Sequence, residues 1–253
     1  MNPLCYVYAV TEAAPANPGP GVGGAAVTTV DSGGLVAVVS EVPEAQFAEE
    51  QLAAKLEDLD WLEATARAHH RVVEAAAAAG PVLPFRLATV FHGPGRVQDL
   101  LADRHAELTA TLKRVRGRRE WGIKAYAVAE LVADPTPPAS TGRPGIDYLM
   151  RKRGRRDAAA RVAQLAQEQA EQLHDQLTGL ADAVVRYPPQ DPRLSGHGEP
   201  MVLNASYLVT HEREPTLDAL VSREWSGVRV ELTGPWAPYS FSELTAADGQ
   251  AGQ

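Results

Sequence analysis

The chain has a single cysteine, Cys5, among its 253 residues. One thiol excludes an intrachain disulfide framework and a zinc site built on cysteines. Aromatic residues make up only 6%, and alanine dominates the helical stretches. No apolar run approaches the roughly 18 residues that cross a bilayer. The first ten residues, MNPLCYVYAV, have no basic region and only a short apolar run, so they do not read as a secretory signal. No nucleophile elbow, His-Glu zinc motif or phosphate-binding loop occurs locally. The expectation is a soluble intracellular protein that is not an enzyme, with no catalytic, cofactor-binding or metal residue to name. Catalytic groups converging from distant positions stay open at this point.

What is there looks globular. Hydrophobic residues make up 45% and charged residues 22%, enough to predict a buried core. The length allows one large domain or two ordinary ones. The net charge of −8 is unevenly spread: residues 1–112 carry 6 basic and 14 acidic groups, 113–156 carry 12 and 4, and 157–253 carry 6 and 14. The basic middle, with KRVRGRR (113–119) and RKRGRR (151–156), reads either as a patch for an acidic partner or as a zone neutralised by its own acidic flanks. Nucleic-acid modules are usually basic overall, which favours the second reading and argues against a nucleic-acid partner.

Strand signals fall at 4–10, at AAVTTV and GLVAVVSEV around the turn DSGG, and at 82–91. Helices are predicted over 43–59, from Trp61 to Ala79 with DWLE (60–63) as a capping box, and over 97–115. From residue 121 the order is a strand (121–132), a Pro-rich loop (133–145), a long helix (146–181), a strand (183–187), a loop (188–200), a strand (201–212), a helix (216–225) and a strand (228–233). The helix carries a seam of Val162, Leu165, Gln169, Leu173, Leu177 and Leu180. This β-α-β-β-α-β order is the ferredoxin-like split βαβ arrangement, an antiparallel sheet with helices on one face. The fold class is therefore α+β in two domains, 1–120 and 121–245, with a disordered tail over 246–253.

GPGVGG (19–24) follows a strand, but a dinucleotide site needs a helix directly after the glycines, and β-prone AAVTTV follows instead. His69 and His70 point about 100° apart on a helix, so they cannot share a metal ion. His69 lies beside the apolar face and reads as a hydrogen-bonded core or interface histidine.

Several stretches together resemble one family, the gas vesicle protein L/F family. They are YVYAV near the start, AHHRVVE (68–74), VLPFRLATVF (82–91), EWGIKAYA (120–127), GIDYLMRKR (145–153), LNASYLVT (203–210) and LTGPWAPYSF (232–241). The LPxR strand and the terminal TGPWxPYSF are the more specific marks. Where the family usually reads Phe-Gly after the arginine, this chain has Leu87-Ala88. The resemblance implies a minor or accessory protein of the gas vesicle, located at the vesicle or in the cytoplasm. It implies a role in assembly through binding the small hydrophobic shell protein, with other gas vesicle accessory proteins as further candidate partners and no membrane. The other reading is a ligand-binding or enzymatic α+β protein whose site forms only in three dimensions.

Two structural expectations complete the reading. Trp236, Tyr239 and Phe241 form an aromatic strap after the last strand. It is expected at the junction of the two domains, with capping of the C-terminal domain or a partner-facing patch as alternatives. Arg86, in a strand apolar enough to be covered on both faces, is expected to pair with Asp147 and pin the domains together. Glu63 is its local alternative, and an exposed arginine on a solvated face is the other.

Overall fold

The structure, a computed structural model, describes residues 4–128, 144–190 and 199–242. The Pro-rich loop up to residue 143, the centre of the loop 188–200 and the tail 246–253 lie outside the described residues. The chain divides into two compact units: residues 1–120 with 236–253, and residues 121–235.

The first unit is built on a five-stranded sheet. Its strands are β1 (Leu4–Thr11), β2 (Val27–Ser32), β3 (Leu35–Val42), β4 (Val82–Pro84) and β5 (Val90–Phe91). The order is β2-β3-β1-β4, with β5 also on β1. All eight residues of β1 are buried, as expected of a central strand covered on both faces. One face carries Tyr6, Tyr8, Val38 and Val42 against Ala68, Val72, Val73 and Ala76 of the helix α3 (Leu59–Ala79). The helices α4 (Pro94–Asp103) and α5 (His105–Val115) bury Val97, Leu100, Leu101, Leu108, Leu112 and Val115. They pack on β2 and on β4 respectively.

Three expectations for this unit are corrected. The helix predicted over 43–59 is two short ones, α1 (Glu44–Phe47) and α2 (Glu49–Lys55), because Ala48 is extended. The helix α3 starts two residues early, at Leu59. Its N-cap is Asp58, whose side chain accepts from the Asp60 and Trp61 amides, so the predicted capping box is not the one used. The strand predicted over 82–91 is interrupted. β4 and β5 both pair with β1, Phe85 and Thr89 also bond to it through their backbones, and residues 86–88 loop out in a turn in which Ala88 takes φ +64.

The second unit runs β6 (Arg118–Ala127), α6 (Pro144–Leu180), β7 (Ala183–Arg186), β8 (Met201–Thr210), α7 (Glu214–Val221) and β9 (Val228–Trp236). Its sheet order is β7-β8-β6-β9, the split βαβ order with the first and third strands central. The core joins Ile123 and Ala125 to Leu203, Ala205, Tyr207 and Val209 beneath Ala166, Ala170, Leu173, Leu177 and Leu217. The seam of α6 thus runs through Ala166, Ala170 and the expected Leu173 and Leu177, while Val162, Leu165, Gln169 and Leu180 are half-buried. Small side chains let the helix backbone approach the sheet, and that outranks the larger neighbours counted in the sequence. The strand β9 continues past Gly234-Pro235 to Trp236, three residues beyond the predicted end.

Candidate functional site

The chemistry-bearing residues of the first unit gather under the strap. Tyr6 and Tyr8 share one face of β1 because strand residues two apart point the same way. Their rings lie 4.8 Å apart. His69, 3% exposed, comes down from α3 onto both rings. The Tyr6 hydroxyl accepts from the Ala88 amide at 3.0 Å and lies 2.9 Å from His69 Nδ1. That leaves its own proton to donate to Nδ1, so the ring proton sits on Nε2, a buried atom with no hydrogen-bond partner. Burial pushes the His69 pKa down to about 4; the Phe85 backbone opposes this and His70 adds to it. A neutral imidazole this weakly basic is a poor general base near neutrality. Burial also raises the pKa of Tyr6 and Tyr239 and pushes the Cys5 thiol up to about 11. The cluster holds its titratable groups neutral, which suits a packed core.

The strap closes on this cluster. Tyr239 lies over His69 with ring centroids 6.1 Å apart, and Trp236 meets His70 edge-on at 5.1 Å. Phe241 is buried, while Trp236 stays 40% exposed. Two polar contacts fasten the segment. The Glu120 carboxylate accepts from the Ser240 amide and hydroxyl, and the Arg114 guanidinium donates to the Phe241 carbonyl at 3.0 Å. Every one of these contacts lies within the first unit. Sequence reasoning named the three aromatics but missed Tyr6, Tyr8, Glu120, Arg114 and Ser240. The YVY spacing could have placed the two tyrosines on one face, but nothing local marks Glu120 and Ser240 as partners.

Arg86 is exposed. Its segment is a turn, so the covered strand that would have forced its charge into a buried pair is absent. The side chain of Asp147 lies outside the described residues. The GPGVGG stretch is a plug: Val22 is buried, its amide donates to the Tyr8 hydroxyl, and the Gly21 and Gly24 amides are bonded within the loop. Those amides are engaged internally and no helix follows. In the basic run, Arg114 holds the strap and Arg116 pairs with Glu12 at 2.7 Å, which fits neutralisation by acidic flanks.

The gas vesicle synthesis protein GvpL/GvpF family matches residues 4–243. The chain belongs to that family. It is 42% identical to gas vesicle protein L of Streptomyces sp. strain CB03234, over 97% of this chain and 95% of the relative. It is 25% identical to gas vesicle protein F2 of Halobacterium salinarum, covering 92% and 88% of the two. The crystal structure of GvpF from Anabaena sp. PCC7120 has the same fold, with a TM-score of 0.65 at 22% identity over 96% of this chain and 97% of that one. The chain is thus a gas vesicle protein of α+β fold. Among the described residues no helix is long and apolar enough to cross a membrane.

Proposed function

We propose that this protein serves gas vesicle assembly by binding the small hydrophobic shell protein before or during its polymerisation, at the vesicle or in the cytoplasm. Membership of the family along residues 4–243 carries the reading. The surface supports it: at the turn between α2 and α3, Leu59 is 77% exposed and Leu56 is exposed beside it. Two leucines i,i+3 in water are a cost that an apolar partner removes. The open depression beside β2 is lined by Ala25, Ala26, Thr28, Val42 and Pro43 with one carboxylate, Glu41. That lining suits contact with a protein better than chemistry on a small substrate.

The test is retention of freshly translated shell protein by the immobilised full chain at several salt concentrations. Retention above control is expected, and Leu56→Ser with Leu59→Ser should reduce it while leaving the melting temperature unchanged. Shell protein that is never retained above control sinks the reading.

A further inference from the structure

The elements packed around His69 differ in how firmly they are held. β1 is the central strand and is bonded to β3, β4 and β5. α3, which carries the histidine, is 21 residues long. The strap is held less firmly. Residues 237–242 belong to no strand and make one turn of 3-10 helix, Tyr239–Phe241. The strap backbone bonds within itself, Tyr239 to Ala237 and Phe241 to Pro238, and to the side chains of Glu120 and Arg114.

The closed arrangement has no place for a second proton on the His69 ring. Nδ1 would take it, and Nδ1 receives the Tyr6 hydroxyl proton. An imidazolium must instead donate to the Tyr6 oxygen, which already accepts from the Ala88 amide. The Tyr6 proton then loses its acceptor, Nε2–H stays without one, and a charge is buried. Among the described residues no anion touches the ring. It faces Tyr6 and Tyr8 from β1, Tyr239 from the strap and the Phe85 backbone after β4. His70, next on the helix, opposes the charge. Arg71 acts on Tyr8, and Glu74 and Glu120 act on Tyr239.

We infer that the strap is an acid-released latch: when His69 takes up a proton, residues 237–242 lift off the ring and let water reach it, while β1 and α3 stay folded. Lifting the strap breaks bonds to a few side chains, whereas moving β1 or α3 breaks ladder or helix bonds, so the local opening needs less free energy. Burial holds the closed ring at a pKa of about 4, against 6.5 in water. The closed form is therefore fully favoured above pH 6.5 and loses ground as pH falls towards 4. Between pH 7 and pH 5 the ratio of open to closed rises roughly twentyfold. Opening uncovers the aromatic face of Tyr6 and Tyr8 and frees Tyr239 and Phe241.

Amide hydrogen exchange of the full chain at pH 7 and pH 5, corrected for the intrinsic effect of pH, tests this. The Ser240 amide and its neighbours should be less protected than β1 at both values. Their exchange should not respond to low urea, because a local opening exposes little surface. Their protection should fall roughly twentyfold at pH 5, and His69→Gln should remove most of that fall. Glu120→Gln weakens the Ser240 contact, so it should lower protection at both values and keep the fall. Strap amides that exchange together with β1, or that are equally protected at the two values, overturn the proposal. So does a fall that survives His69→Gln, above all if Glu120→Gln removes it, since the carboxylate is then the sensor.

Discussion

Ala88 is the one non-glycine among the described residues with a positive φ, +64. The left-handed region costs an L-residue roughly 1–2 kcal/mol. Ala88→Gly should therefore stabilise the protein by about 1 kcal/mol in denaturant titration, net of the freedom glycine gains when unfolded. The Ala88 amide still donates to Tyr6, so no contact is lost. Unchanged or lower stability would mean the turn holds no strain. His69 gives a pH prediction. Folding lowers its pKa from 6.5 to about 4, so the unfolded chain takes up the proton first as pH falls. Stability is fully present above pH 6.5 and drains away down to about pH 4, by about 2 kcal/mol between pH 7 and 5. His69→Gln keeps an acceptor for Tyr6 and should flatten that slope; an acid limb identical to the wild type would refute the assignment. At this scale the sequence was partly legible. It placed His69 in the core from its neighbours on the helix. It misjudged Arg86, because ten apolar-rich residues looked like one strand and nothing in them showed that residues 86–88 leave the sheet.

Elements were legible where a pattern is periodic and illegible where two nearby residues compete for one role. The strands β1 and β3 follow from their β-branched runs, and the hairpin at DSGG from its glycines. The start of α3 depended on a choice between Asp58 and Asp60, both acidic, both just ahead of the apolar face. The DWLE spacing favoured Asp60, but the backbone turns at Asp58, which takes the extended conformation and accepts from two amides. Asp58→Ala should cost about 1 kcal/mol and Asp60→Ala distinctly less. Equal losses would return the cap to Asp60. In α6 the expected Leu173 and Leu177 lie in the core, but one turn and two turns earlier Ala170 and Ala166 take the places given to Gln169 and Leu165, because close helix–sheet contact there favours a small side chain over a more hydrophobic or larger one.

At the scale of the whole molecule, the sequence grouped residues 121–245 by adjacency, because the strap follows β9 directly. The fold groups Trp236 onward with residues 1–120. The fastening is long-range, Glu120 to Ser240 and Arg114 to the Phe241 carbonyl, and a pairing across more than a hundred residues leaves no trace in composition or spacing. The strap completes the core of the first unit, as Tyr239 covers His69 and Phe241 is buried. A chain ending at Pro235 should therefore lose stability. Phe241→Ala alone is expected to cost roughly 3–5 kcal/mol if the site collapses as little as most buried aromatic sites do. The sharper test restores the strap in trans. A peptide spanning residues 236–245, added to the shortened chain, binds only its folded first unit and should raise the melting temperature with a saturable dependence on concentration. The same peptide with Ser240→Ala and Phe241→Ala should do so weakly or not at all. A shortened chain that melts like the full one, or a native peptide with no more effect than the substituted one, would show that the strap rests on the first unit without supporting it.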